Sequence, residues 1–207
     1  MNSVECSNAT KFDLRKSLLH GWKHCHSSVL HMILDDFIDV AKESADTARL
    51  RPLLTYGTLL GAYRNKSFIP WTHDVDLAYF LRYWTPETRN KMVIGLRRRG
   101  YSLFYQDIWR VCLHVQHPLA KLLSNEMGDI IHAKKNYAGD IPYLDLYGLT
   151  ENSEYMQHET LMQPLDHKIV YPVRSLSFLG KEYETFSAPE VFFKYAGYGN
   201  FMRERIE

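Results

Sequence analysis

Residues 53–79 read LLTYGTLLGAYRNKSFIPWTHDVDLAY, and no other stretch constrains the fold as tightly. The apolar run Leu53 to Tyr56 has the pattern of a strand that stops at Gly57. Leu59 to Arg64 then supplies a helical turn or two, and Val75 to Phe80 forms a second strand with acid at its start. Side chains two apart on a strand point the same way, so Asp74 and Asp76 share one face while Val75 and Leu77 take the other. Neighbouring carboxylates repel, and a fold tolerates them mainly where a cation neutralises them. A hard divalent ion, Mg²⁺ or Mn²⁺, suits such oxygen ligands and keeps positions open for a phosphate.

Ile141 to Tyr147 (IPYLDLY) is a third informative strand. Leu144 and Leu146 share one face, and Tyr143, Asp145 and Tyr147 share the other. An unpaired acid in the interior of such a strand costs on the order of several kcal/mol, so Asp145 should meet a cation or water. Asp129 and Asp140 fall in loop contexts and are weaker candidates.

The run Gly57-Thr58-Leu59-Leu60-Gly61-Ala62-Tyr63-Arg64, followed by Phe68-Ile69-Pro70-Trp71 and Asp74-Val75-Asp76-Leu77, resembles the signature of the LicD/fukutin family. Bacterial phosphocholine transferases and animal ribitol-phosphate transferases belong to it. The resemblance implies an α+β fold: a nucleotidyltransferase-fold mixed β-sheet flanked by helices, with a C-terminal hairpin and helix. One such domain would occupy residues 1–207, with a loose arm at 1–22 and a core at about 24–200. The implied activity is a metal-dependent phosphotransferase. It moves a choline-, ribitol- or glycerol-phosphate-like group from a CDP-alcohol donor to a glycan acceptor.

Under that resemblance Asp74 and Asp76 would hold one or two Mg²⁺ (or Mn²⁺) ions. Asp145 resembles the third carboxylate that such folds carry on a neighbouring strand, as metal ligand or general base. These three are the candidate catalytic and metal residues. Gly57, Thr58, Gly61 and Arg64 are the candidate substrate-binding residues. Gly57 would let a phosphate approach, Thr58 and the helix N-terminus would offer donors, Gly61 would shape the small-residue turn, and Arg64 would add a planar clamp. Trp71 is expected to pack beneath the acidic loop. The family usually has an acid directly after the Trp, where this chain has Thr72. Two other readings stay open: an Asp-x-Asp glycosyltransferase, and a catalytically weak regulator or accessory subunit of glycan phosphorylation, which Thr72 favours.

Composition narrows the classes. The 25 basic and 24 acidic residues nearly balance, which argues against a nucleic-acid partner bound by bulk charge. Three cysteines, Cys6, Cys25 and Cys112, give no disulfide framework. No apolar run is long enough for a transmembrane segment, and the N-terminal residues carry charge where a signal peptide needs an apolar core. The expectation is a soluble, untargeted chain, cytoplasmic as written, with a Golgi lumen setting if an upstream anchor precedes it. The triplets at Asn8 and Asn65 match the glycosylation pattern and are expected to go unused.

Elsewhere, a helix is predicted from Ser28 to about Lys42, with Val29, Leu30, Ile33, Leu34, Phe37, Val40 and Ala41 inward and a solvated acidic face. His20, His24, Cys25, His26 and His31 lack a complementary zinc-ligand cluster, so zinc is not expected. Ala45 to Arg51 reads as a polar connection. Thr85-Pro86-Glu87 starts a helix that ends in Arg97-Arg98-Arg99 before Gly100. Strands are predicted at Tyr101 to Tyr105 and Ile108 to Gln116, with Arg110 and His114 on a solvated polar face, and a loop follows to Asp140. Glu151 to Asp166 reads as polar, helix-like or irregular. A hairpin at Ser175 to Thr185 turns at Gly180-Lys181, and a capping box at Ser187 to Glu190 opens a helix closed by Gly197.

Overall fold

The computed structural model describes residues 23–69, 72, 74–114, 117 and 142–202, with side chains from residue 27 onward. The N-terminal arm with Cys6 and His20, Pro70, Trp71, His73, and the loop acids Asp129 and Asp140 lie outside the described residues, as do the side chains of His24, Cys25 and His26.

Helix α1 spans Lys23–Lys42, and the predicted stripe from Val29 to Ala41 is buried. Its acidic face is not left to solvent. Arg99 reaches Asp36 at 2.7 Å, Glu43 at 3.1 Å and Asp39 at 3.4 Å, while Lys181 pairs with Asp35 at 2.6 Å. The phenol of Tyr101 donates to Asp36 at 2.5 Å, and that of Tyr183 donates to Asp35. Partly exposed pairs of this kind are worth about 0–1 kcal/mol each, so the apolar stripe carries the stability and the ion pairs set how the helix lies. The same network gives Arg99, last of the arginine triplet, a structural partner. A one-turn helix, α2 (Ala45–Ala48), interrupts the expected polar connection, because Ser44 and Thr47 close a reciprocal capping box.

Strand β1 (Leu53–Leu54) is shorter than the sequence suggests, and helix α3 (Tyr56–Asn65) takes the Gly57-Thr58 step into its first turn. The cause is local. Asp76 binds Thr58 through both backbone and hydroxyl, and this pulls the chain into the helix at Tyr56, whose φ is +41°. Strand β2 (Asp74–Phe80) leads through a short 3₁₀ turn to helix α4 (Pro86–Arg98), capped by Thr85 as predicted. Strands β3 (Tyr101–Gln106), β4 (Ile108–Leu113) and β5 (Tyr143–Glu151) follow. Then come β6 (Met156–His158), α5 (His167–Val170), β7 (Arg174–Phe178), β8 (Lys181–Thr185) and α6 (Pro189–Tyr195).

The eight strands form one mixed sheet in the order β3-β4-β5-β2-β1-β8-β7, with β6 paired to β5. Its centre is the parallel pair β2 and β5, in register from Asp74 opposite Tyr143 to Phe80 opposite Leu149. Strands flanked on both faces read as near-continuous apolar runs, as Val75 to Phe80 does apart from Asp76. One sheet face carries Val75, Leu77, Leu144, Leu146 and Val111 beneath α1, and α4 packs on α1 and β3. The opposite face carries Asp74, Asp76, Asp145 and Arg110 beside α3.

Three local expectations fail for identifiable reasons. Glu151 to Asp166 contains β6, whose three residues are too few to show a period but pair with Leu149 to Glu151. The hairpin turns one residue early, at Leu179 (φ +52°) and Gly180 (φ +79°), both left-handed as a two-residue hairpin loop requires. The Ser187 capping box does not form. Ala188 is the N-cap, and the Ser187 N–H instead donates to Val170 at 3.3 Å, joining α6 to the end of α5.

Gly61 belongs to the packing of α3. A Cβ there would lie 2.5 Å from the Ser67 carbonyl oxygen and 3.1 Å from the Ile69 nitrogen, both backbone atoms that cannot swing away. Gly61→Ala is expected to lower stability by about 1–3 kcal/mol. Chemical denaturation measures this directly; an unchanged midpoint would show that the 67–69 segment yields freely.

Candidate metal centre

Asp74 stands at the start of β2 and Asp76 two residues on, both on the face beside α3. Asp145 sits directly opposite Asp76 across the parallel β2–β5 pair, so the sheet register itself brings the third carboxylate in. One ligand oxygen from each of the three lies within 4.8 Å of the others. Asp76 and Asp145 are each 5 % exposed, and Asp74 is half-buried.

Chain donors orient all three. Thr72 Oγ1 donates to Asp74 Oδ1 at 2.8 Å, the Thr58 N–H donates to Asp76 Oδ2 at 3.2 Å, and Arg110 Nε donates to Asp145 Oδ1 at 2.8 Å. The Tyr147 phenol lies 3.3 Å from both Asp76 Oδ1 and Asp145 Oδ2, able to donate to either. Burial, followed by the Asp74 charge, pushes the Asp76 carboxyl well above the usual range. Burial raises Asp145 as well, and the Arg110 guanidinium partly offsets it. Burial also lifts Tyr147 above the ordinary phenol range and Tyr143 up to about 12. A buried set of hard oxygen donors that resists ionising alone fits a divalent cation. Among the described residues, this cluster can hold one.

The four other candidates fall along or near α3, with different roles in the packing. Gly57 leaves room for a carboxylate: a Cβ there would stand 3.3 Å from Asp76 Oδ2. Thr58 is buried, and its backbone N–H and hydroxyl both face Asp76, so it orients that carboxylate. Gly61 abuts the backbone of 67–69, as described above. Arg64 is half-buried in the last turn of α3, on the helical stripe it shares with Gly57 and Gly61.

Sequence reasoning missed Arg110 and Tyr147. The alternation in β4 gave Arg110 a polar face but not the pairing that places it against Asp145 in place of solvent. Behind Tyr147 lies an aromatic cluster that the sequence did not suggest. The His158 ring is fully buried, 5.4 Å from the Tyr147 ring centroid and 5.2 Å from that of Tyr56. Burial lowers the His158 pKa to about 3. His31, the one histidine of the suspected N-terminal cluster with a described side chain, lies 3.3 Å from Asp35. Cys112 is a free, half-buried thiol.

Among the described residues, no helix is long and apolar enough to cross a membrane. A search of curated proteins found no match. Among solved structures, the chain is similar to the crystal structure of ANT(2")-Ia in complex with adenylyl-2"-tobramycin, at 13 % identity and a TM-score of 0.47, covering 82 % of this chain and 75 % of that one. Residues 49–187, from just before β1 to just after β8, match the description LicD/FKTN/FKRP, nucleotidyltransferase domain. With that match spanning more than half of its length and the aspartates of its signature meeting on one sheet face, this chain belongs to the LicD/FKTN/FKRP family.

Proposed function

We propose that this protein is a phosphotransferase that carries a phospho-alcohol from a CDP-activated donor to a glycan hydroxyl. Family membership supports a transferase acting in glycan modification. The observation that carries the reading is the convergence of Asp74, Asp76 and Asp145 on one sheet face, each oriented by a donor of the chain itself.

In the reaction, the acceptor oxygen forms a bond to the phosphorus bearing the alcohol. The bond from that phosphorus to the bridging oxygen breaks, and CMP leaves with the electron pair. Such transfers depend on positioning and on neutralising charge at the phosphoryl oxygens. Asp74, Asp76 and Asp145 would hold Mg²⁺ or Mn²⁺, which when bound polarises phosphoryl oxygens and offsets their charge. Thr58, Thr72, Arg110 and Tyr147 keep the carboxylates in place. The acceptor proton passes to solvent, or to Asp145 where that carboxylate is not taken up by the metal. The α3 N-terminus faces the same centre and favours an anion beside it.

The test is a donor screen with CDP-choline, CDP-ribitol, CDP-glycerol and UDP- or GDP-sugars, with Mg²⁺ and with EDTA. CMP release that needs the metal and vanishes in Asp74→Asn is the expected result. Release of UDP or GDP points to an Asp-x-Asp glycosyltransferase. Metal binding without turnover of any donor points to an accessory subunit, the reading that Thr72 favours.

A further inference from the structure

A row of side chains crosses three strands on the active face: Asp76 on β2, Asp145 on β5 and Arg110 on β4, each opposite the next in register. Arg110 is therefore fixed by the sheet, not by a loop. Its Nε bonds Asp145 Oδ1 at 2.8 Å, and its guanidinium carbon stands 5.6 Å from the centre of the Tyr143 ring. Both contacts limit where the planar head can point. A quarter of the Arg110 side chain stays open to solvent while Asp145 is nearly closed off, and the bond to Asp145 is made through Nε.

The charges of the centre add up simply. The Asp74 and Asp145 charges act on Asp76, and the Arg110 and Asp74 charges act on Asp145. Three carboxylates and one guanidinium sum to −2, which a single divalent ion neutralises. A second such ion would bring the set to +2 and would have to compete with Arg110 for Asp145. Thr72, neutral and bonded to Asp74, adds no carboxylate to support it.

We propose that Arg110 is the built-in second cation of this centre. The site takes one divalent ion per chain, and the Arg110 guanidinium clamps the phosphoryl oxygens of the donor where a second ion would otherwise stand. The inference rests on the metal-dependent phosphotransferase reading and goes beyond it by fixing the ion count and naming the clamp.

Titration of the purified protein with Mn²⁺ alone, followed by the spin-resonance signal of the free ion, counts the sites. One site is expected. Arg110→Met should bind that ion about tenfold more tightly, because a positive neighbour is gone. With Mn²⁺ saturating, pyrophosphate should bind the Met variant at least tenfold more weakly, with Arg110→Lys intermediate. A purely structural prop for Asp145 would instead weaken Mn²⁺ binding when removed, and that result overturns the proposal. So do two ions in the unmodified protein, or unchanged pyrophosphate affinity in the Met variant. If the Met variant does not fold, Arg110→Lys carries the same comparison, and equal pyrophosphate affinity in it alone counts against the clamp. Absence of any Mn²⁺ binding would instead defeat the metal reading itself, a distinct failure.

Discussion

Asp76→Asn is expected to abolish transfer while making the metal-free protein more stable at neutral pH. The two effects share one cause. Asp76 is 5 % exposed, and burial together with the Asp74 charge pushes its carboxyl well above the usual range, against the Thr58 N–H that favours the charged form. A carboxyl whose native pKa is raised binds its proton more tightly folded than unfolded. Its stabilising contribution is present below the unfolded value and is lost as pH rises through the native one. At pH 7 without metal, the carboxyl therefore costs the fold stability, whether it ionises in place or holds its proton, and asparagine, similar in shape but uncharged, removes that cost. The gain should appear as roughly 2–4 °C in Tm for each kcal/mol relieved. The same substitution deletes one of the three proposed metal ligands, and metal-dependent CMP release should fall on the order of 10³-fold. Mg²⁺ at 100 times its Kd should stabilise the unmodified protein by about 2.7 kcal/mol and the variant hardly at all. A metal-free variant that melts lower than its parent, or one still stabilised by Mg²⁺, would remove Asp76 from the centre.

How much of this was legible in the sequence depends on the range of each interaction. The apolar stripe of α1, the Thr85 cap and the Gly100 stop of α4 are local patterns, and each folds as written. The Asp74–Asp76 pair was equally plain, because alternation alone places both on one face. Asp145 could be suspected from the cost of an acid in an apolar strand, yet only the parallel pairing of β2 with β5 sets it against Asp76. Arg110 shows the limit more sharply. In its own strand it looks like one polar residue on a solvated face, and its partner lies 35 residues away. The acidic face of α1 misleads in the same manner, since Arg99, Tyr101, Lys181 and Tyr183 all arrive from distant parts of the chain. β6 and the start of α3 fail for another reason: three residues show no period, and the turn at Tyr56 is set by the Thr58 contacts to Asp76.

The second large effect concerns His158, which never touches the carboxylates. Its ring is fully buried against Tyr56, Tyr147 and Phe192, with Nδ1 3.3 Å from Thr160 Oγ1, and burial lowers its pKa from 6.5 to about 3. A base with a depressed native pKa stabilises the fold fully above its unfolded value, and that contribution is lost as pH falls toward the native one. The window here runs from pH 6.5 down to about 3, and the difference of about 3.5 units corresponds to ~5 kcal/mol at its lower end. By pH 5 the unfolded chain has already gained about 2 kcal/mol by protonating this histidine. Asp76 and Asp145 act in the opposite direction over the acid range, so the comparison must isolate the ring. Denaturant unfolding of the metal-free protein at pH 7.5 and pH 5, set beside His158→Phe, does so because both carboxylates are common to the pair. The unmodified protein should lose about 2 kcal/mol relative to the variant between those two conditions. Because Tyr147 rests on this ring and reaches both Asp76 and Asp145, the acid limb of activity should soften in the variant as well. Parallel pH dependences of stability in the two proteins would mean that the ring is hydrated in solution and does not prop the centre through Tyr147.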